Sequence, residues 1–485
     1  MDETFRVETR GNAGTLLTKL VFWPLPPWQP AITSSAMTSS FNTSPADILE
    51  KLIDRCLKAG ATDADCSLGV SEGVSVDVRD GKLENVERSE AQGISLRVLF
   101  GQRQAHVSGS DLSDEAITAM AERCVAMAKA VPEDKYAGLA PAELLAKDPP
   151  ELDLEGDGEI PLERLESDAV AAEAAALGVE GVKTVAGCGN GWSRSERWVA
   201  ASNGFASYLS GGSTGLGLAA VAERDGAMER DHDSWTVRKM ADRPGPDEIG
   251  RTAGERAVAR LGPRKVKTQK GVVLYDKRVA PSLIGAFLGA ISGPSVARGV
   301  SFLKDRLGEK VFAPGTNIVD DPFLEKALGC RNHDGEGLPV ERKLLIEDGV
   351  LTRWLLNMSA ARQLGLDPNG FASGGFGNPP GVGTSNVHIE AGEMSPAMLM
   401  KEAGKGLLVT DMFGPSINPN TGDYSVGVAG FWFEDGAVQY PVAEVTIAGD
   451  LPSMFARLIP ASDLEFRGRR NSPSLLIEDM SIAGN

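Results

Sequence analysis

Four histidines, His106, His232, His333 and His388, are all the imidazole that the 485 residues offer for metal binding or proton transfer. They lie far apart, and neither an HExxH nor an HExxxH pattern occurs. A catalytic zinc usually takes three protein ligands, two of them often delivered by one turn of a helix. Only His232, between Asp231 and Asp233, and His333, before Asp334, have a carboxylate as an immediate neighbour. Unless folding joins these pairs, they read as solvated polar loops. Gly211-Gly212-Ser213-Thr214-Gly215 matches the GxSxG of serine hydrolases. That serine works only on a sharp strand-to-helix turn beside an oxyanion hole, and strand-like sequence flanks this one on both sides, so a loop is expected. Gly187-Cys188-Gly189-Asn190-Gly191 and Gly375-Phe376-Gly377 have the glycine spacing of dinucleotide loops. Neither leads from a parallel strand into a helix, and Pro379-Pro380 follows the second. The carboxylate pairs Asp320-Asp321, Glu347-Asp348 and Glu434-Asp435 sit in turn-like sequence. Read this way, the residues assign no catalytic group.

The formal net charge of −18 argues against nucleic acid as a main partner, because neutralising phosphates takes clustered Lys and Arg. It equally disfavours an anionic membrane surface. Cys56, Cys66, Cys124, Cys188 and Cys330 are odd in number, scattered and free of CxxC pairs, which suggests a reduced, cytoplasmic protein and not a disulfide framework. No apolar run reaches the roughly 18 residues of a membrane span. Residues 1–43 are expected to be a disordered extension. Leu16–Trp28 is broken by Pro24, Pro26 and Pro27, the start carries Asp2, Glu3 and Glu8, and Met37 is the more natural start.

Around these residues the chain reads as α+β. Ser44-Pro45 opens a helix that Gly60 stops. Strand pairs turning on Asp80-Gly81, Asn203-Gly204 and Asp225-Gly226, with helices from Ser113 and Pro161, make residues 44–240 a mixed α/β domain with antiparallel hairpins. Residues 241–485 read as a large antiparallel β-rich domain, barrel- or sandwich-like, with further turns at Asp348-Gly349 and Asp435-Gly436. Its last β-rich stretch, Leu407–Asp450, is built from three strand runs. In the middle run Tyr424, Val426 and Val428 alternate with Ser425, Gly427 and Ala429, and Gly430 precedes Phe431-Trp432-Phe433. Small residues along one strand face let another backbone approach, so this sheet is a candidate to hold an extended chain.

Four stretches carry a resemblance to the TldD/PmbA family, and within it to the PmbA (TldE) branch. They are Val76–Val107; Ala297–Val311, with RGVSFLKDRLGEKV; Leu407–Gly449, above all TGDYSVGVAGFWFEDGAVQYPVAEVTIAG; and Arg467–Asn485, ending EDMSIAGN. The resemblance implies a bacterial and archaeal metalloprotease system in which TldD and TldE form a heterodimer. TldD carries a helical HExxxH zinc motif and a further cysteine ligand near its C-terminus. In this sequence the motif would fall on Ile284, Gly285, Ala286, Phe287, Leu288 and Gly289, and Ser472 stands where the cysteine is expected. Ile284, Gly285, Gly289 and Ser472 are therefore degenerate metal positions. None of the family's catalytic residues carries over, and no cofactor is expected in this chain. Zinc is expected in a TldD-type partner, without which no activity is expected; a homodimer is the other possible assembly. The implied substrate is an unfolded polypeptide bound by strand addition in a chamber lined here by Asn418, Thr421, Gly422, Asp423, Tyr424, Ser425, Gly427 and Gly430. The alternative implied role is a regulatory or binding protein, of gyrase-modulator or peptide-maturation type, without proteolytic duty.

Overall fold

The computed structural model of the protein describes residues 43–484, so the extension expected over 1–43 lies, save for its last residue, outside the described residues. Helix α1 (Pro45–Lys58) begins as its sequence dictates: the Ser44 hydroxyl accepts the Asp47 N–H, and Pro45 occupies the first turn. Strands β1 (Asp63–Arg79), β2 (Lys82–Phe100) and β3 (Arg103–Gly109) follow, then α2 (Asp114–Ala130) and α3 (Leu162–Leu177). Next come β4 (Val182–Ala201), β5 (Ala206–Arg224), β6 (Ala227–Val237) and α4 (Pro246–Ala259). The six strands form one antiparallel sheet in the order β3-β2-β1-β4-β5-β6. Four of them run 17 to 20 residues, far beyond the usual 3–10.

Side chains alternate across a strand, and the even positions of β1 face the helices. Ala64, Cys66 and Leu68 pack under α1 and α2, while Val76 and Val78 pack under α3 and α4. One face of the sheet thus carries two helix pairs end to end. Helix α4 lies past residue 240 in the chain yet packs on α3, β5 and β6. Gly211–Gly215, expected as a loop, is the middle of β5, and Gly187–Gly191 is inside β4.

The C-terminal part is ordered as β7 (Gln269–Tyr275), α5 (Pro281–Ala290), α6 (Gly293–Ala297), β8 (Ile318–Asp320), β9 (Lys343–Glu347), β10 (Val350–Leu351), α7 (Met358–Leu364), β11 (Ala372–Ser373) and β12 (Gly381–Val382). It continues with β13 (Val387–Ile389), α8 (Pro396–Ala403), β14 (Lys405–Ile417), β15 (Asp423–Glu434), β16 (Ala437–Asp450), α9 (Leu451–Ala456), β17 (Ile459–Pro460), β18 (Arg470–Asn471) and β19 (Leu475–Ala483). Strands β16, β15, β14, β7 and β19 pair in turn, and β19 pairs back to β16, closing a barrel. The β7–β14 contact is parallel; the other barrel pairs are antiparallel. The core here includes Tyr275, Phe287, Phe312, Tyr424, Trp432 and Phe455. Phe287 anchors α5 edge-on against Phe312, with centroids 5.2 Å apart. The fold is the α+β one read from sequence, with a closed barrel in the C-terminal half. Among the described residues no helix is long and apolar enough to cross a membrane.

Candidate functional site

The sheet face turned away from the helices is built of small and polar residues in register across the strands. One row is Ser89, Gly73, Ser193 and Ser213; the next is Glu87, Ser75, Gly191, Gly215 and Thr236; a third is Asn85, Asp77, Gly189, Gly217 and Ser234. The first two rows, Thr236 apart, line a cleft of 420 Å³. The glycines are not spare room. A Cβ on Gly191 would stand 2.8 Å from the Val74 carbonyl oxygen, and one on Gly217 2.7 Å from Ser234 Cβ. The strands crowd together on this side, and only hydrogen side chains permit it. Gly217→Val is therefore expected to lower stability by about 1–3 kcal/mol through overpacking, read as a reduced urea midpoint.

Ser234 and Thr236 carry this floor to a second cleft, of 330 Å³, whose far wall comes from the β7–α5 connection and the loop before β19. That wall sets Lys277, Arg278, Arg467 and Arg470 against one carboxylate, Glu465, which pairs with Lys277 at 2.7 Å and with Arg467 at 3.1 Å. An ion network fixes its base. Asp233, nearly fully buried, accepts from Arg256 at 2.9 Å and from Arg467 at 2.8 Å. The Arg467 guanidinium also lies 4.0 Å above the Trp235 ring. Burial raises the Asp231 carboxyl, but Arg278, 2.8 Å away, together with the His232 N–H and Arg260 outweighs it and leaves that pKa lowered. His232 borders this cleft with its ring exposed.

Helix α5 packs on β18, which brings the expected degenerate metal positions toward the C-terminal segment. Ile284 is buried in the core, and Gly289 is exposed beside open space. A Cβ on Gly285 would come within 2.6 Å of Arg470 Nη1, so the guanidinium fills the space of a side chain there. Ser472, 1% exposed, donates its hydroxyl to the Pro473 carbonyl at 2.7 Å. An aliphatic group, two glycines and a turned-away hydroxyl beside a cation do not fit a zinc ion. Among the described residues, no group of three or more His, Cys, Asp or Glu is placed to hold a metal.

The other histidines are dispersed. His106 is exposed on β3. His388, on β13, is buried edge-on to Phe466. His333 lies between the domains, with Nε2 3.0 Å from the Ser207 hydroxyl and Nδ1 2.7 Å from the Asp334 carbonyl. Burial pushes its pKa down to about 4.

The candidate chamber residues of the β14–β15 region bond largely to each other. Asn418 N–H donates to the Asp423 carbonyl at 2.9 Å, Gly422 N–H to the Asn418 carbonyl at 2.8 Å, and the Thr421 hydroxyl to the Asp423 carboxylate at 2.6 Å. Gly422 is buried under Pro452 and Phe302. Tyr424 is in the barrel core, its phenol pushed up to about 12 by burial. Ser425 and Gly427 are half-buried on the opposite strand face. Gly430 sits at a bulge, where a side chain would overlap the Leu408 carbonyl of β14. The close approach at Gly430 is thus to its own sheet neighbour.

A long antiparallel sheet backed by helix pairs and joined to a closed barrel, with a polar floor between them, is a scaffold of the PmbA/TldD metallopeptidase type. Residues 64–128, 155–261 and 268–484 match PmbA/TldA metallopeptidase domain 1, central domain and C-terminal domain respectively, and the chain belongs to this family. Within the family it falls with PmbA. It is 36% identical to the metalloprotease PmbA of Escherichia coli O157:H7 over 444 residues, covering 90% of this chain and 96% of that one. It is 32% identical to a PmbA homologue of Haemophilus influenzae, covering 94% of this chain and 100% of the other. TldE from Thermococcus kodakarensis shares the fold, with a TM-score of 0.80 at 22% identity over 90% of this chain and 100% of that one.

Proposed function

We propose that this chain is a subunit without its own zinc in a PmbA/TldD-type metalloprotease of the cytoplasm. In this reading it shapes a chamber for unfolded or extended polypeptide, and a zinc-bearing TldD-type subunit carries the chemistry. The observation that supports it most is the Arg470 guanidinium against Gly285, where the family resemblance sets the glutamate of the motif, between the two histidine positions Ile284 and Gly289. A cation at that point opposes a divalent ion, and Ile284 and Gly289 supply no ligand for the electrophile that peptide hydrolysis would need. The Gly/Ser floor supports the substrate half, because small side chains admit a second backbone with little regard to its sequence. The five cysteines are unpaired, four of them buried, which suits a reducing compartment.

The test is metal analysis together with cleavage of an unfolded casein substrate. The chain alone should carry no stoichiometric zinc and cleave nothing. Mixed with its zinc-bearing relative, it should form a stable complex whose cleavage stops on chelation. Chelator-resistant cleavage by the isolated chain, or one tightly held zinc per chain, rejects the reading. A complex without gain in cleavage turns it toward a regulatory or binding role.

A further inference from the structure

Three of the four cations lining the cleft beside β6 are already neutralised. Lys277 is held by Glu465, and Arg467 by Glu465 and Asp233. Arg278 lies against Asp231 at 2.8 Å and Asp276 at 3.3 Å. Arg470 lines the same cleft and, among the described residues, forms no ion pair. It is nonetheless held in place. Its backbone belongs to β18, opposite Val387 of β13, and its guanidinium rests on α5 where Gly285 offers no side chain. The next residue, Asn471, is 3% exposed. Its amide oxygen accepts the Arg467 and Gly468 N–H groups at 2.8 and 3.0 Å, and its nitrogen donates to the Gly468 carbonyl at 2.8 Å. One buried amide thus fixes the turn that carries both Arg467 and Arg470.

We infer that this cleft receives the terminal carboxylate of an extended polypeptide, with Arg470 as its receptor. Charge decides for a monoanion. One cation is left over, while Asp233 and Glu465, which also line the cleft, would repel a second negative charge. Shape decides for a carboxylate, because a guanidinium presents parallel N–H donors that match its two oxygens. Position decides for a chain end. Ser234 and Thr236 belong both to the polar floor and to this cleft. A backbone crossing the floor toward β6 therefore arrives here and meets the wall made by the β7–α5 connection. Its end can lodge there, but the chain cannot run on. The 330 Å³ of the cleft lies at the small end of ligand pockets, enough for a chain terminus and not for a folded partner. Bound so, the polypeptide has a direction, its carboxyl end at β6 and its amino end over β1 and β2. The inference rests on the polypeptide half of the proposed function and not on its zinc half.

Fluorescence anisotropy of the full chain tests this, with a hexapeptide of alternating Ser and Val labelled at its amino end. The free acid should bind at least about tenfold tighter than the C-terminal amide, and the gap should shrink in high salt. Arg470→Gln should close the gap by weakening the acid and not the amide. Arg470→Lys should restore part of it, since it keeps the charge without the fork. Acid and amide are compared first on the unaltered chain, so the inference stands or falls even where a variant misfolds. An amidated peptide ending in Asp should bind as the plain amide does; binding like the free acid would put a side chain in the cleft and overturn the assignment to a chain end. Equal binding of acid and amide, or a gap that survives Arg470→Gln, overturns the inference and leaves the polypeptide chamber standing. Failure of both peptides to bind removes the chamber with it.

Discussion

Asp334→Ala is expected to cost about 3–5 kcal/mol of stability, the largest loss from any single polar side chain discussed. Asp334 is 2% exposed, and three backbone donors converge on it. One carboxylate oxygen accepts the N–H groups of Glu336 and Leu338, both at 2.9 Å, and the other accepts that of Ala372 at 3.1 Å. Burial raises its pKa, and those donors work against the rise. Truncation leaves three buried N–H groups without an acceptor, each costing about 1–3 kcal/mol, though not additively. The damage also spreads. The same loop sets His333 against Ser207 and edge-on to Phe205, with centroids 4.9 Å apart, while Phe376 stacks on Phe205 at 5.2 Å. These contacts clamp the barrel domain to β5 and the turn before it. Urea unfolding should show a lower midpoint for Asp334→Ala, with Asp334→Asn intermediate because it keeps one acceptor. A loss under about 1 kcal/mol would mean that water takes the orphaned donors.

How much of this was legible depended on whether the signal was local. The Asp-Gly turns at 80–81, 225–226, 348–349 and 435–436 all adopt positive φ at both residues, as hairpin chemistry requires. The alternation of Tyr424, Val426 and Val428 put their side chains in the core, and the α+β class followed from such pieces. The polar floor was not read, because glycine counts as a breaker when judged by local propensity. Its signal was nonetheless present as a period of two. Gly187, Gly189 and Gly191 alternate with Cys188, Asn190 and Trp192, all three buried; Gly215 and Gly217 alternate with the buried Leu216 and Leu218. A glycine at every second position is a strand with one bare face, and that is how these motifs should be read. Gly430 could not be resolved in this way. Sequence marks a close backbone approach there but not whose backbone approaches, and here it is that of β14. Barrel closure by β16 with β19, and the parallel β7–β14 pair, join segments far apart in sequence and leave no local trace.

Two buried groups near Asp334 should give the protein a hidden pH dependence. Burial lowers the His333 pKa from 6.5 to about 4, with Arg197 and Arg331 adding to the effect. The unfolded chain then binds more protons between those values, so the term is fully present above pH 6.5 and lost as pH falls toward 4. Glu336 behaves oppositely. Burial, reinforced by Asp334, raises its pKa from 4.5 to about 7, so its term is fully present below pH 4.5 and lost as pH rises toward 7. Each is worth about 3 kcal/mol over its window, and the windows overlap with opposite sign. Taken together, the two make a nearly flat contribution in the wild type between about pH 4.5 and 6.5. Substitution of either should expose the other. In Glu336→Gln, stability should fall by up to about 3 kcal/mol between pH 6.5 and 4 relative to wild type. In His333→Asn it should fall by a similar amount as pH rises from 4.5 to 7. Urea midpoints across that range read both slopes. Equal slopes in the two variants would show that neither group titrates where its burial puts it.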